Sequence, residues 1–453
     1  MYTELTQNPV KNTLKVAWPA MVESFFVTMA GIIDTIMVSE LGPYAISSIG
    51  LTNQPKFLGL TLFFCLNTAV AAFSARRKGQ EDKDGANDVF ITSILYALFL
   101  TLILSIVFVY FADDLMRLVG SNADTHEAAT SYFKIVMGGM FFNVMTMLIN
   151  SALRGIGNTR VAMTSNVIGT IVNIAFNFVF ITGRWGFPAL GVTGAAIATV
   201  LSTVVSLIVC IVAVMNPDAF ISVPYIRLEK LRPTWKTAKA LIKFQNTTLI
   251  QFIGFRIGFM VTAVMAARLG TDEFAIHMVG MNLLNLGFAF GDGLRIATVS
   301  LTGQSLGAGL PDLAKRYGKI AQAIGFVLSL VLAIIMLLFG DDIFMLFFRS
   351  DRPDNLQAIG RMITYFIMVV VVFQVSQVIN SGALQAAGDL RYNNIVSLVS
   401  VGVLRTIVTY VLVSVLDWGL RGIWFGVVAD QFSRCVALGW RFWKYDFHKA
   451  KKL

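Results

Sequence analysis

The feature of this sequence that most limits its possible folds is an apolar run of about 20 residues that recurs along the whole chain. An α-helix of that length crosses the hydrocarbon core of a bilayer, and lipid offers the backbone no other hydrogen-bond partners. Hydrophobic residues make up 56% of the 453 positions and charged residues only 14%, so water is not the main solvent of this all-α integral membrane chain. Twelve spans are predicted, at residues 14–38, 46–75, 88–112, 131–153, 161–182, 190–215, 240–267, 273–303, 318–340, 359–384, 393–416 and 418–441.

Basic residues in the short connections predict the orientation, because Lys and Arg near helix ends stay in the cytoplasm. One side has Lys11, Arg76, Arg77, Lys78, Lys83, Arg154, Arg160, Arg227, Lys230, Arg232, Lys236, Lys239, Lys315, Arg316, Arg391, Lys444, Lys449, Lys451 and Lys452. The other side has Arg117, Arg184, Arg268, Arg349, Arg352 and Arg421. This ratio of roughly three to one predicts that both termini are cytoplasmic. No cleavable signal peptide is expected, because the first apolar run is too long.

The formal net charge of +10 is accounted for by these connections. It does not indicate nucleic-acid binding, because no basic face is interleaved with aromatic side chains. The cysteines Cys65, Cys210 and Cys435 lie inside apolar runs without metal-ligand or redox spacing. No cofactor is expected, apart from a possible transported ion.

The chain contains an internal duplication. Leu41-Gly42 recurs as Leu269-Gly270 and Gly194 recurs as Gly422, in both cases 228 positions later. Six spans fall in each half, so the halves should insert with the same orientation about an axis along the membrane normal. A cleft between two such bundles could open to each side in turn, which predicts a transporter. The predicted organisation is a first lobe at 1–215, a cytoplasmic linker at 216–239, a second lobe at 240–443 and a cytoplasmic tail at 444–453.

Ionisable residues inside a span are the first functional candidates, because a charge at mid-membrane costs about 2.5–3.5 kcal/mol on insertion scales. The first span holds Glu23 and Asp34, which lie on one stripe of the helix about 17 Å apart. Their equivalents in the second half are Gln251 and Thr262, so the duplication does not require either carboxylate. A functional role is favoured for Asp34.

Polar side chains in two other spans of the first half could complete a cation site. Asn173 and Asn177 are four residues apart on one helix face, and Thr199 follows a run of small residues that begins at Gly194. A carboxylate with amide and hydroxyl oxygens suits Na⁺, whereas a lone buried carboxylate would bind a proton. The alternative is that the two amides and the hydroxyl only form hydrogen bonds between helices.

The second half has a different charge pattern. Asp292 with Arg295, and Asp430 with Arg434, have the spacing of salt bridges within one helix. Arg256 and Arg295 could line a cavity and bind an anionic group, or neutralise a carboxylate.

In the first half, Lys56 could pair with Glu23, which predicts a cavity of mixed charge. The candidates for lining this cavity are Glu23, Asn53, Lys56, Gln251, Arg256, Asp292 and Arg295.

Several stretches have an order and spacing that resemble the multidrug and toxic compound extrusion (MATE) family of transporters over nearly the whole chain. They are Pro19 with Ile33–Ser39, Asn173–Asn177, Gly191–Thr199, Gly303–Gly309 and Ala386–Asp389. The resemblance implies two six-helix lobes, alternating access, and export of small organic compounds, amphipathic or cationic, in exchange for Na⁺ or H⁺.

The resemblance also implies that Asp34 is the aspartate on which the cation site of the first lobe is built, with the two asparagines and Thr199 beside it. Asn177 stands where several family members carry a second aspartate, so this site has less negative charge. Members with an acidic site in the second lobe carry a carboxylate on the seventh helix, where this chain has Gln251 and Arg256. The ion is therefore predicted in the first lobe.

Two other functions are open to a helical membrane chain. A lipid-linked saccharide flippase of the same superfamily would need a wide basic cavity and usually more helices. An intramembrane enzyme acting on isoprenoid diphosphates would need carboxylate clusters for Mg²⁺, and neither Asp113–Asp114 nor Asp341–Asp342 completes an Asp-Asp-x-x-Asp pattern. The favoured hypothesis is a monomeric, cation-coupled antiporter for small molecules in the plasma membrane, without enzymatic activity.

Overall fold

The computed structural model describes residues 5–345 and 354–450, and within these ranges the chain is helical with no strand. Twelve long helices are named in chain order: α1 Pro9–Ser39, α2 Pro43–Gly79, α3 Lys83–Tyr110, α4 His126–Gly138 with Met140–Gly155, α5 Thr159–Phe180, α6 Gly191–Val214, α7 Trp235–Leu269, α8 Thr271–Gly307, α9 Pro311–Met345, α10 Asp354–Ala386, α11 Leu390–Val415 and α12 Gly419–Lys444. Each overlaps one predicted span, so the predicted fold class is confirmed. Arg349, Arg352, Lys451, Lys452 and the side chain of Asp341 lie outside the described residues.

Most of these helices are long and apolar enough to cross a membrane. Nine of those in the described ranges meet this condition alone, and the two segments of α4, bent by 46°, together make a tenth. The remaining two, α8 and α12, each carry an ion pair: Arg295 Nε lies 2.7 Å from Asp292 Oδ1, and Arg434 Nε lies 2.7 Å from Asp430 Oδ1. The predicted salt bridges within single helices are therefore confirmed.

The duplication is visible in the turns that begin the second helix of each half. Gly42 precedes α2 with φ of 103°, and Gly270 precedes α8 with φ of 144°. This backbone conformation favours glycine because a side chain would be strained there. The sequence repeat thus keeps a glycine at the position of each turn that requires a positive φ.

The chain divides into two compact units, one formed by residues 1–21 with 246–453 and the other by residues 22–245. Both α1 and α7 contribute residues to the two units, because one boundary falls after Met21 and the other after Gln245. The lobe limits predicted from the duplication stay a prediction.

Helices pack in the same pattern within each unit. In residues 22–245, α4 contacts α2, α3 and α6, and α5 contacts α6. In the other unit, α10 contacts α8, α9 and α12, and α11 contacts α12. These pairs are equivalent under a shift of six helices, so α4 and α10 occupy corresponding central places. Apolar side chains of α10 such as Val371 and Val375 are buried in the core there.

Candidate functional site

The acidic residue favoured by the sequence lies beside two amides. Nδ2 of Asn177 donates to Oδ1 of Asp34 at 2.6 Å and to Oδ1 of Asn173 at 3.2 Å. Asn177 is 1% exposed, whereas Asp34 is only partly buried. Oδ1 of Asn177 is buried and accepts no hydrogen bond within the described chain. The structure therefore brings together three of the four predicted cation-site residues directly.

The fourth residue, Thr199, lies near a tyrosine that is itself close to the site. Its hydroxyl donates to the carbonyl oxygen of Ala195 at 2.9 Å and lies near the phenol of Tyr132. Tyr132 is buried on α4, close enough to Asp34 for the two side chains to interact electrostatically. Tyr132 was not predicted from the sequence, although a phenol inside an apolar span is an unusual polar group there.

Lys56 brings a positive charge to the same place. Its ammonium lies 5.9 Å from the ring centroid of Tyr132, and its charge interacts with that of Asp34. Asn53 lies one helical turn earlier on α2 and is partly buried. Asp34 forms no direct ion pair within the described residues, so its carboxylate is held by an amide and attracted by a more distant cation.

The other carboxylate of α1 is held differently. Glu23 is 2% exposed, and one of its oxygens, Oε1, accepts from the Arg154 guanidinium and from Asn166 Nδ2, the latter at 2.5 Å. The predicted pairing of Glu23 with Lys56 is therefore wrong. Arg154 lies in the last turn of α4, just beyond the predicted span, and its long side chain reaches back to the buried acid.

The candidates of the second half are dispersed. Nε2 of Gln251 donates to the hydroxyl of Ser397 at 3.2 Å. Arg256 is exposed on α7, and the ion-paired Asp292 and Arg295 are partly buried on α8. Gln251 thus has its partner on α11, whereas Asp292 and Arg295 pair with each other on α8.

Comparisons with known proteins identify the family. A family model, MatE, matches residues 19–179 and again residues 248–411. The two matches begin 229 positions apart, which agrees with the 228-residue repeat. A protein named probable multidrug resistance protein NorM, from Thermotoga maritima, is 26% identical over 433 residues that cover 94% of this chain and 90% of that protein.

Solved structures give the same result. The outward-facing conformation of a multidrug resistance MATE family transporter of the MOP superfamily is 25% identical, with a TM-score of 0.88 and coverage of 96% of both chains. A MOP superfamily transporter from Pyrococcus furiosus, for which reverse polarity of the binding pocket is said to suggest a different function, is 26% identical, with a TM-score of 0.86 and coverage of 98% of both chains. Because the family model matches most of the chain, one copy in each half, the chain belongs to the MatE family and is a multi-pass membrane transporter, not an enzyme.

Proposed function

We propose that this transporter exports small organic compounds in exchange for protons, and that Asp34 is the carboxylate that carries the proton. The environment of Asp34 supports this best. Its side chain is partly exposed and accepts a hydrogen bond from the amide of Asn177, and it forms no direct ion pair in the described chain. A carboxylate in that state can gain and lose a proton without breaking a salt bridge. Glu23, in contrast, is held by Arg154 and is poorly suited to the role.

Protonation of Asp34 would also change the contacts that this side chain makes with other helices. When Asp34 is ionised, it accepts from Asn177 on α5 and attracts Lys56 on α2. When it is protonated, the attraction to Lys56 disappears and the hydrogen bond from Asn177 weakens, because a bond to a charged acceptor is roughly twice as strong. One proton thus changes how α1 is held against two other helices. A ligand shifts a conformational equilibrium only through such differential contacts.

Protons are proposed over Na⁺ for two reasons. The positive charge of Lys56 opposes that of Asp34, so the pair has no net charge to attract a metal cation. The amide oxygen of Asn173 is also engaged, since it accepts a hydrogen bond from Asn177. Na⁺ is the second candidate, because Oδ1 of Asn177 remains available as a ligand.

The remaining features of the proposal follow the sequence and the relatives. Amphipathic or cationic compounds are proposed as substrates, since similar proteins are named multidrug resistance proteins. The basic connections support cytoplasmic termini in the plasma membrane. The transporter is proposed to act as a monomer. A lipid-linked saccharide flippase is not favoured, because the similarity is to MATE transporters.

Everted vesicles that contain the transporter test this proposal. Uptake of a fluorescent organic cation such as ethidium should follow an imposed proton gradient in the wild type and should be lost in Asp34→Asn. The matched control is Asp113→Asn, which removes an acid from the short helix Ala112–Leu118 and should keep proton-driven uptake. Uptake driven only by a Na⁺ gradient would favour the second candidate, and proton-driven uptake by Asp34→Asn would contradict the role of Asp34.

A further inference from the structure

The duplication relates the cation site to a second pair of positions. Thr262 on α7 lies 228 positions after Asp34, and Arg405 on α11 lies 228 positions after Asn177. Both pairs are hydrogen-bonded: Asn177 Nδ2 donates to Asp34 Oδ1 at 2.6 Å, and Arg405 Nε donates to Thr262 Oγ1 at 3.1 Å. The hydrogen bond between the two helices is therefore repeated in the second half, but the charged group is negative in the first half and positive in the second. The first half has a carboxylate and an amide, and the second half has a hydroxyl and a guanidinium.

The positive charge of Arg405 is incompletely balanced. Arg405 is 1% exposed, and its nearest acid is Asp430, whose Oδ2 lies 3.6 Å from Arg405 Nη1. Arg434 already binds both oxygens of that carboxylate, at 2.7 and 3.1 Å. Two guanidinium groups thus share one carboxylate. A buried charge without a counter-ion is strongly destabilising, so a further negative charge is expected here.

Unpartnered hydrogen-bond donors occur on this guanidinium and on two other buried side chains of α11 and α12. Nη2 of Arg405 and Nε1 of Trp424 are buried and have no partner among the described residues. The Trp424 ring lies 5.8 Å from the ring of His277, which is close enough to Arg405 to interact with its charge. The hydroxyl of Thr409, one turn after Arg405 and packed against Gly426, is also unpartnered. Buried donors of this kind require an acceptor.

The helix that carries Arg405 is irregular on both sides of it. Residues Leu398–Leu404 and Val411–Val415 of α11 are π-helical, and only Arg405–Tyr410 between them is α-helical. The equivalent helix of the first half, α5, is α-helical over its whole length. Short π-helical turns occur often at functional sites.

We propose that the second half binds a small inorganic anion, chloride, at the guanidinium of Arg405. Trp424 Nε1 and the Thr409 hydroxyl provide further donors, and the anion balances the charge that Asp430 leaves unpaired. Because Arg405 is almost fully buried, a single atom suits the site better than an organic acid. The first half would then take a cation and the second half an anion at equivalent places. This site does not depend on the proposed proton coupling.

Thermal unfolding of the purified, full-length transporter tests the proposal. Chloride should replace gluconate at constant ionic strength, and the unfolding midpoint should rise in a saturable way, by about 3 °C at a hundredfold excess over the dissociation constant. Arg405→Gln should lose this rise, because it leaves Asp430 paired with Arg434 alone and needs no anion. Arg421→Gln removes one exposed positive charge from the same helix as Asp430 and should keep the rise.

A second measurement covers the case in which Arg405→Gln does not fold. Crystals of the wild type soaked in bromide should show an anomalous peak beside the Arg405 guanidinium. Equal midpoints in chloride and gluconate, a chloride-dependent rise retained by Arg405→Gln, or a bromide map without a peak at this position would each overturn the proposal.

Discussion

Nδ2 of Asn177 lies 2.6 Å from Oδ1 of Asp34, so an amide of α5 holds the carboxylate of α1 that is proposed to carry the proton. The same amide also donates a hydrogen bond to Oδ1 of Asn173, one turn earlier on α5. The site therefore contains a single carboxylate. A second carboxylate at this place would make it a stronger cation site. Its single negative charge is opposed by Lys56.

Asn177→Asp should make the transporter respond to Na⁺. The substitution places a second carboxylate beside Asp34, so the site gains a net negative charge and another oxygen ligand. Na⁺ in place of K⁺ should then raise the thermal unfolding midpoint of the variant and leave that of the wild type unchanged. An Asn166→Asp variant, changed beside Glu23, serves as the control and should show no Na⁺ effect. An Asn177→Asp protein that is indifferent to Na⁺ would show that charge does not select the ion here.

Arg154→Met should destabilise the unit formed by residues 22–245. It leaves Glu23, which is 2% exposed, as a buried charge without its cation, a change that costs about 3–5 kcal/mol in buried pairs. The double variant with Glu23→Gln removes both charges and should recover much of the loss. Denaturation in detergent measures both effects.

The control for this pair is Arg117→Gln. Arg117 pairs with Asp113, but both side chains are largely exposed, so its loss should change the stability far less than Arg154→Met does. Equal destabilisation by Arg154→Met and Arg117→Gln would contradict the assignment of a buried ion pair to Glu23.

Gly194→Ala should push α5 and α6 apart. A Cβ atom at this position would lie 2.5 Å from the carbonyl oxygen of Phe180, which belongs to the backbone and cannot rotate away. Overpacking of this kind costs about 1–3 kcal/mol. Gly50→Ala on α2 is the matched control, because a Cβ there meets no atom within 4 Å and alanine favours the helix by about 1 kcal/mol. If both variants unfold at the same temperature, the close approach at Gly194 is not present in the protein.

Stability should depend on acid pH through Asp113, on the short helix Ala112–Leu118. A hydrogen bond from His126 and the nearby charge of Arg117 lower the pKa of Asp113 below its usual 3.8. Because the folded pKa is the lower one, the contribution is present above pH 3.8 and is lost as the pH falls through the folded value. The midpoint difference between wild type and Asp113→Asn should therefore be positive at neutral pH and vanish in strong acid. A difference that grows in acid would reverse the assigned sign.

The sequence predicted the twelve helices because lipid leaves a long apolar run one possible structure. It predicted their ends less well. The first predicted span begins at residue 14, whereas α1 begins at Pro9 and includes Lys11, since a helix can continue beyond the hydrocarbon into water. Hydropathy shows where a helix leaves the hydrocarbon. The backbone hydrogen bonds of the helix can continue for several residues beyond that point.

The site was predictable where spacing along one helix decides the geometry. Asn173 and Asn177 were placed together because residues four apart share a helix face. The partners of Glu23 and Lys56 were not predictable, because they depend on which faces of α1, α2 and α4 meet. The duplication also aligns Asn177 with Arg405. The sequence could not show, however, that Arg405 donates a hydrogen bond to Thr262, the residue equivalent to Asp34.

Substrate-driven proton release by the purified transporter tests the central claim most directly. In weakly buffered detergent solution with a pH-sensitive dye, addition of a transported organic cation should release protons from the wild type. Asp34→Asn should bind the same compound and release none, because an amide carries no exchangeable acid proton at this pH. Equal release by the two proteins would contradict the assignment of the proton to Asp34.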